Sequence, residues 1–218
     1  MPTSAARRKP TRWVGLTPDD RRAERRVLLL AAAFELLGTE GWGGTTVRAV
    51  CQAARLNPRY FYESFDDLDA LLLAVYDRLV EELGVQVMAA VVAAGDDPRA
   101  QVRAALESIV AFVDDDRRRG RVLYVEALGN EALNRRRICT GHALVALVEQ
   151  AASAAARRPV DVHVGRIGAA ILVGGTAELV AAWLDGRIDV PRPLLIDAAT
   201  ELFLAMGDAA ARAPRSAD

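Results

Sequence analysis

Aromatic side chains make up only 6% of this 218-residue chain, which has just two cysteines and two histidines. Few aromatics beside abundant Ala, Leu, Arg and Glu disfavour strands and favour helices. Cys51 and Cys139 stand far apart, make no metal-ligand spacing, and read as free thiols in a reducing compartment. No uninterrupted apolar run reaches the roughly 18 residues of a membrane span. The arginine-bearing N-terminus lacks an apolar signal core. A cytoplasmic protein with no membrane partner is expected. No nucleophile motif, zinc spacing or dinucleotide loop occurs, so neither an enzyme nor a metal or cofactor is expected. "GTEGWGG" lacks the Lys-Ser/Thr ending of a phosphate loop, and "DDDRRRG" reads as a solvated helix end.

What the chain does have is unevenly placed. Its net charge is −1, but residues 1–62 hold eleven basic and five acidic side chains, a balance of +6. The remainder holds 17 basic and 24 acidic side chains, or −7. A basic head on an acidic body points to an anionic partner for the head.

The chain length allows one large domain or two smaller ones sharing a core. Residues 1–16, with two prolines and no periodicity, read as a flexible basic arm. A helix follows: Thr17 is a cap, Pro18 suits the first position, and Asp19 and Asp20 suit the positive end of the dipole. Val27, Leu30, Ala31, Phe34 and Leu37 form its expected apolar stripe, and Arg22, Arg25 and Arg26 share another face. Thr46 then caps a short helix, a turn passes through Arg55 and Leu56, and Asn57 caps another that opens on Pro58. Two short helices so joined spell a helix-turn-helix. From Asp67 a long apolar stripe, Leu68, Leu71, Leu72, Val75, Leu79 and Leu83, leads into a larger helical body.

Four aromatic rings crowd "LNPRYFYESF". In a helix opening at Asn57, Phe61 and Phe65 lie four apart and face inward beside Leu56. Arg59, Tyr60, Tyr62 and Ser64 remain on the outer side. Spacing leaves two readings of the tyrosines open: rings that cover the core, or hydroxyls presented to a groove. An outward arginine can grip guanine O6 and N7, while Tyr and Ser can hold phosphate oxygens.

The segment "GWGGTTVRAVCQAARLNPRYFYESFDDLDALL" resembles the DNA-binding signature of the TetR/AcrR family of transcriptional regulators. The match is carried by Thr45, Thr46, Val47, Leu56, Asn57, Phe61, Tyr62, Phe65, Leu71 and Leu72. Downstream, "GGTAELVAAWLDGRI" resembles the end of the family's penultimate helix. Three positions depart from the pattern: Arg55 stands where glycine is common, Ser64 replaces His or Tyr, and Leu68 replaces Lys.

The resemblance implies an all-α protein of about nine helices. A three-helix DNA-binding head (17–66) would precede an effector-binding and dimerisation body (67–208) and a frayed tail (209–218). It implies DNA contacts from Arg22, Arg25, Arg26, Thr46, Arg48, Asn57, Pro58, Arg59, Tyr60, Tyr62 and Ser64. The expected activity is sequence-specific repression, relieved when a hydrophobic or amphipathic small molecule binds. The expected partners are a palindromic double-stranded operator, that effector and a second copy of the chain. The alternative is a dimeric helical small-molecule binder that has lost specific DNA binding.

Two further groups follow from the body's sequence. Gly168, Gly175 and Ala182 recur every seven residues with Ile171 and Glu178 nearby, and Leu195, Ala199, Leu202 and Met206 stripe the last helix. Together they would form half of a four-helix dimer interface. The expected ligand-lining residues are Tyr76, Met88, Phe112, Tyr124, Glu126, Asn130, His142, His163 and Trp183.

Overall fold

The computed structural model describes residues 17–155 and 160–213, so the arm expected over 1–16 and the end of the tail lie outside it. The described residues are helical throughout, with no strand among them.

Helix α1 (Pro18–Thr39) starts as its sequence dictates. Thr17 Oγ1 accepts the Asp20 N–H at 3.1 Å, and the Asp20 carboxylate accepts the Thr17 N–H at 3.0 Å. This reciprocal box satisfies two donors that a helix start would otherwise leave unpaired. Its buried side is Leu29, Ala32, Ala33, Leu37 and Gly38. That is a correction, because Val27 and Ala31 of the expected stripe are exposed. The run "VLLLAAAFELL" is apolar all round, so its periodicity cannot select a face. Packing selects it instead: α3 (Val47–Ala54) and α5 (Leu68–Ala93) lie against it, and so does α7 (Arg117–Gly120). Gly38 sits where α7 crosses; a Cβ there would fall 2.5 Å from Cβ of Arg118.

After the single turn α2 (Gly41–Gly44), Thr46 Oγ1 caps α3 by accepting the Ala49 N–H at 3.1 Å. Arg55 closes α3 in the left-handed region, φ 55° and ψ 41°. Asn57 Oδ1 then accepts the Arg59 N–H at 2.9 Å and starts α4 (Pro58–Tyr62). Asp67 caps α5, a 26-residue helix that runs roughly 40 Å from head to body. One hydrophobic core follows it, from Leu29, Val50 and Phe61 in the head to Phe112, Val122 and Leu133 in the body.

The body continues with α6 (Pro98–Asp115), α7, a π-helical turn (Arg121–Glu126) and α8 (Ala127–Gly129). It ends with α9 (Glu131–Ala155), α10 (Val162–Leu184) and α11 (Arg192–Arg212). Helix α11 thus extends past residue 209, where fraying was expected. A second core joins Leu106 and Val110 of α6 to Leu195, Ile196 and Ala199 of α11.

This second core corrects the expected dimer stripe. Leu195 and Ala199 are buried within the chain because α11 turns that side to α6, and Ala182 of α10 is buried as well. Ile171, Gly175, Glu178 and Leu202 are exposed, with Gly168 and Met206 half-buried. Ile167 and Leu194 add to the outward apolar surface of α10 and α11. Helix α10 is also long and apolar enough to cross a bilayer, and only 22% of its most apolar window is buried. Arg166 and Glu178 interrupt it, so its apolar residues form no unbroken run of that length.

Candidate nucleic-acid interface

The geometry of α4 follows from how little of it is buried. Phe61 is fully buried and Phe65 nearly so, with their rings 6.0 Å apart. Burying each contributes roughly 1.5–3 kcal/mol, enough to hold a helix of five residues that would not form alone. Everything else on α4 looks outward. The Arg59 side chain is 83% exposed and uses only its Nε, on Glu63 at 3.1 Å. Tyr62 is 61% exposed and rests edge-on against Phe61. Asn57 and Pro58 are exposed, as are Thr46 and Arg48 on the neighbouring helix.

The arginine face of α1 divides in two. Arg22 is exposed. Arg25 and Arg26 instead fasten α1 to the segment around α4, a use that their helical spacing did not disclose. The Arg25 guanidinium lies 4.4 Å over the Tyr60 ring and donates to Glu63 Oε2 at 3.2 Å. Arg26 lies 4.2 Å over Phe65 and donates to the Ser64 carbonyl at 2.9 Å. Ser64 Oγ is turned back to the Tyr60 carbonyl. Tyr60 is therefore partly shielded, at 37% exposure. Glu63 organises this cluster and was missed. Its pairing with Arg59 is legible at i, i+4 spacing, whereas its pairing with Arg25 is not.

The candidate ligand residues do not line one cavity. Met88, His142 and His163 lie on exposed helix faces. Phe112 fills the core beneath Arg119, and Trp183 donates Nε1 to the Val190 carbonyl at 3.0 Å. Asn130 caps α9 through the Leu133 N–H and donates to Asp69. Glu126 is taken up by Arg121 and the Trp42 N–H. Tyr76 and Tyr124 lie close together at the same core as Phe112, and burial pushes the Tyr76 phenol up and that of Tyr124 to about 12. Two shallow clefts open at the surface. One of about 250 Å³ runs along His142, Glu149 and Arg166. The other, about 210 Å³, has Phe34 and Val75 in its wall between α1 and α5.

A capped helix, a left-handed turn and a second capped helix with an exposed arginine define a helix-turn-helix head. Residues 29–75 match the family described as bacterial regulatory proteins, tetR family. The resemblance read from the sequence therefore holds over this stretch of the head. The HTH-type transcriptional regulator BetI of Stenotrophomonas maltophilia is 34% identical over 83 residues. That stretch is 38% of this chain and 42% of BetI, so the likeness spans less than half of the curated relative. Solved structures share the fold over most of the chain. A transcriptional regulator from Rhodococcus sp. Rha1 superposes with a TM-score of 0.70 at 19% identity, covering 87% of this chain and 99% of its own. The regulator FadR from Bacillus subtilis, solved with stearoyl-CoA, gives 0.64 at 16% identity, covering 83% and 98%.

Proposed function

We propose that this chain is a cytoplasmic, sequence-specific DNA-binding transcriptional regulator. It acts as a homodimeric repressor that a hydrophobic or amphipathic effector releases from its operator. The observation that carries the reading is the division of α4: Phe61 and Phe65 anchor it while Arg59 and Tyr62 face solvent. Arg59 reads a base edge in the major groove, and Tyr62, Arg22, Arg48 and the exposed capping residues hold phosphates. The family match over the head and the basic balance of residues 1–62 support the same partner.

The second copy is supported by α10 and α11. Their outward surface carries Ile167, Ile171, Leu194 and Leu202, each more than half exposed. A matching pair of helices from a partner would cover them and give two heads for two half-sites of a palindrome. That use also accounts for an α10 that is apolar yet little buried. Helix α5 couples effector to operator, since its first turns share a core with Phe61 and Phe65 while its far half borders the body. An effector that favours a tilted α5 by a few kcal/mol would respace the heads. The stearoyl-CoA held by FadR is in keeping with an amphipathic effector.

The test is a gel shift with DNA from beside the chain's own gene, run across salt. Specific binding to one fragment is expected, with log affinity falling by about 0.9 per neutralised phosphate for each log unit of salt. Equally weak binding to every fragment would leave a dimeric helical ligand binder without operator recognition.

A further inference from the structure

Three consecutive arginines occupy the second turn of α9, and the structure treats them differently. Arg135 pairs with Glu131 at 3.4 Å on the surface. Arg136 grips both oxygens of Asp77, at 2.6 and 2.8 Å. Arg137 falls one turn after the fully buried Leu133 and points to the interior side of α9. Its one hydrogen bond is a long one, from Nη2 to Asn134 Oδ1 at 3.4 Å. Its Nε is buried with no acceptor, and no carboxylate among the described residues pairs with it. Burying a guanidinium N–H without an acceptor is unfavourable, and the neighbouring Arg135 and Arg136 avoid it by pairing with carboxylates.

The surroundings say what would satisfy it. Arg137 lies near enough to Tyr76 for its charge to act on that phenol, and Thr140, on the same side of α9, adjoins it. Tyr124, from the π-helical turn, lies close to Tyr76. Tyr76, Leu133 and the partly buried Tyr124 belong to one apolar core, so two phenol hydroxyls lie within a hydrophobic wall that Arg137 borders through Tyr76. An added methyl group at Gly141, one turn beyond Arg137, would meet no atom within 4 Å, so space adjoins this part of the helix. A planar guanidinium fork matches two oxygens of a carboxylate or phosphate.

We infer that Arg137 is the anion anchor of the body's ligand site, taking the acidic head of an amphipathic effector beside Tyr76 and Tyr124. The inference rests on the reading of an effector-binding body given above and sharpens it: the effector carries a negative charge. Arg136, already saturated by Asp77, plays no part in it.

The full chain is titrated, without DNA, with four probes of one tail length: dodecanoate, dodecyl phosphate, dodecanol and dodecyltrimethylammonium, each below micelle formation. Binding is read by calorimetry and by thermal shift. Either or both anionic probes bind saturably, at least about tenfold more tightly than dodecanol. The better of the two identifies the head group. Arg137→Gln reduces anion affinity to the level of dodecanol, Arg137→Lys retains part of it, and Arg136→Gln changes nothing. Without ligand, Arg137→Gln melts no lower than wild type, which separates anion binding from a structural role. Equal binding of dodecanol and dodecanoate, unchanged anion binding in Arg137→Gln, or no binding of any probe overturns the inference. Because no DNA is present, failure here leaves operator recognition untouched, and a failed gel shift leaves this site standing.

Discussion

The carboxylate of Glu126 accepts the backbone N–H of Trp42 at 2.7 Å, across 84 residues of sequence, and so ties the body to the head. Its other oxygen holds Arg121 at 2.8 Å, and Arg121 donates to the last carbonyls of α1, Thr39 at 2.7 Å and Gly38 at 3.4 Å. A cation suits a helix C-terminus, where the carbonyls are unpaired. Both side chains project from the π-helical turn, whose wider winding sets them on the α1–α2 corner. Gly41 at that corner has φ +74°, and a Cβ there would lie 2.9 Å from both Arg121 Nη2 and Glu126 Oε1. Gly41→Ala is expected to cost about 1–3 kcal/mol through left-handed strain and displacement of this pair. Glu126→Ala should cost a similar amount, roughly 1–3 kcal/mol, by leaving a partly buried donor unmet. Urea denaturation checks both.

Arg55 takes φ 55°, the one non-glycine residue with positive φ among those described. A left-handed L residue costs roughly 1–2 kcal/mol, and glycine's looser unfolded state returns roughly 0.4–1 of it. Arg55→Gly should therefore stabilise the head by about 0.5–1 kcal/mol, and Arg55→Val should destabilise it. Thermal melting gives the sign.

Asp116 is held below the usual carboxylate range, chiefly by side-chain hydrogen bonds from Arg118, which also reaches Glu35 on α1. Because its folded pKa is depressed, its contribution is complete above the unfolded carboxyl value and fades as pH falls through the folded one. Asp116→Asn keeps the α7 cap but loses the charge. It should be less stable than wild type near neutrality and lose less on acidification between about pH 6 and about pH 3. Denaturant midpoints across that range provide the check.

Ile171→Asp and Leu202→Asp place charges on the outward side of α10 and α11, where wild-type side chains are 53% and 65% exposed. Neither fills the chain's own core, so each variant should fold. Wild type should sediment as a dimer and each variant as a monomer, since a charge buried at a helix interface is strongly unfavourable. Ala182→Asp, by contrast, should disrupt folding, as Ala182 is 6% exposed.

The parts of this molecule that sequence discloses are those governed by neighbours. Thr17–Pro18, Thr46 and Asn57–Pro58 announce helix starts because a cap and its N–H lie two or three residues apart. Phe61 and Phe65 announce their side of α4 because Arg59, Tyr60 and Tyr62 are polar by comparison. Where every side of a helix is apolar, as in α1, the choice of face passes to partners elsewhere in the chain. The same holds for Leu195 and Ala199, which α6 draws inward. Tertiary pairings are silent altogether: nothing local distinguishes Arg25, which stacks on Tyr60, from Arg22, which stays free of the core. Likewise Arg135, Arg136 and Arg137 are equivalent until α5 supplies Asp77 to one of them.

The central claim is that the exposed guanidinium of Arg59 reads a base, and one comparison reaches it directly. Affinities of wild type, Arg59→Ala and the body-surface control Arg135→Ala are measured by fluorescence anisotropy, on the preferred upstream fragment and on a scrambled copy. Arg59→Ala should lose roughly 1–3 kcal/mol on the preferred fragment and little on the scrambled one, narrowing the gap between them, while the control binds as wild type does. Undiminished affinity and unchanged preference in Arg59→Ala would contradict the account.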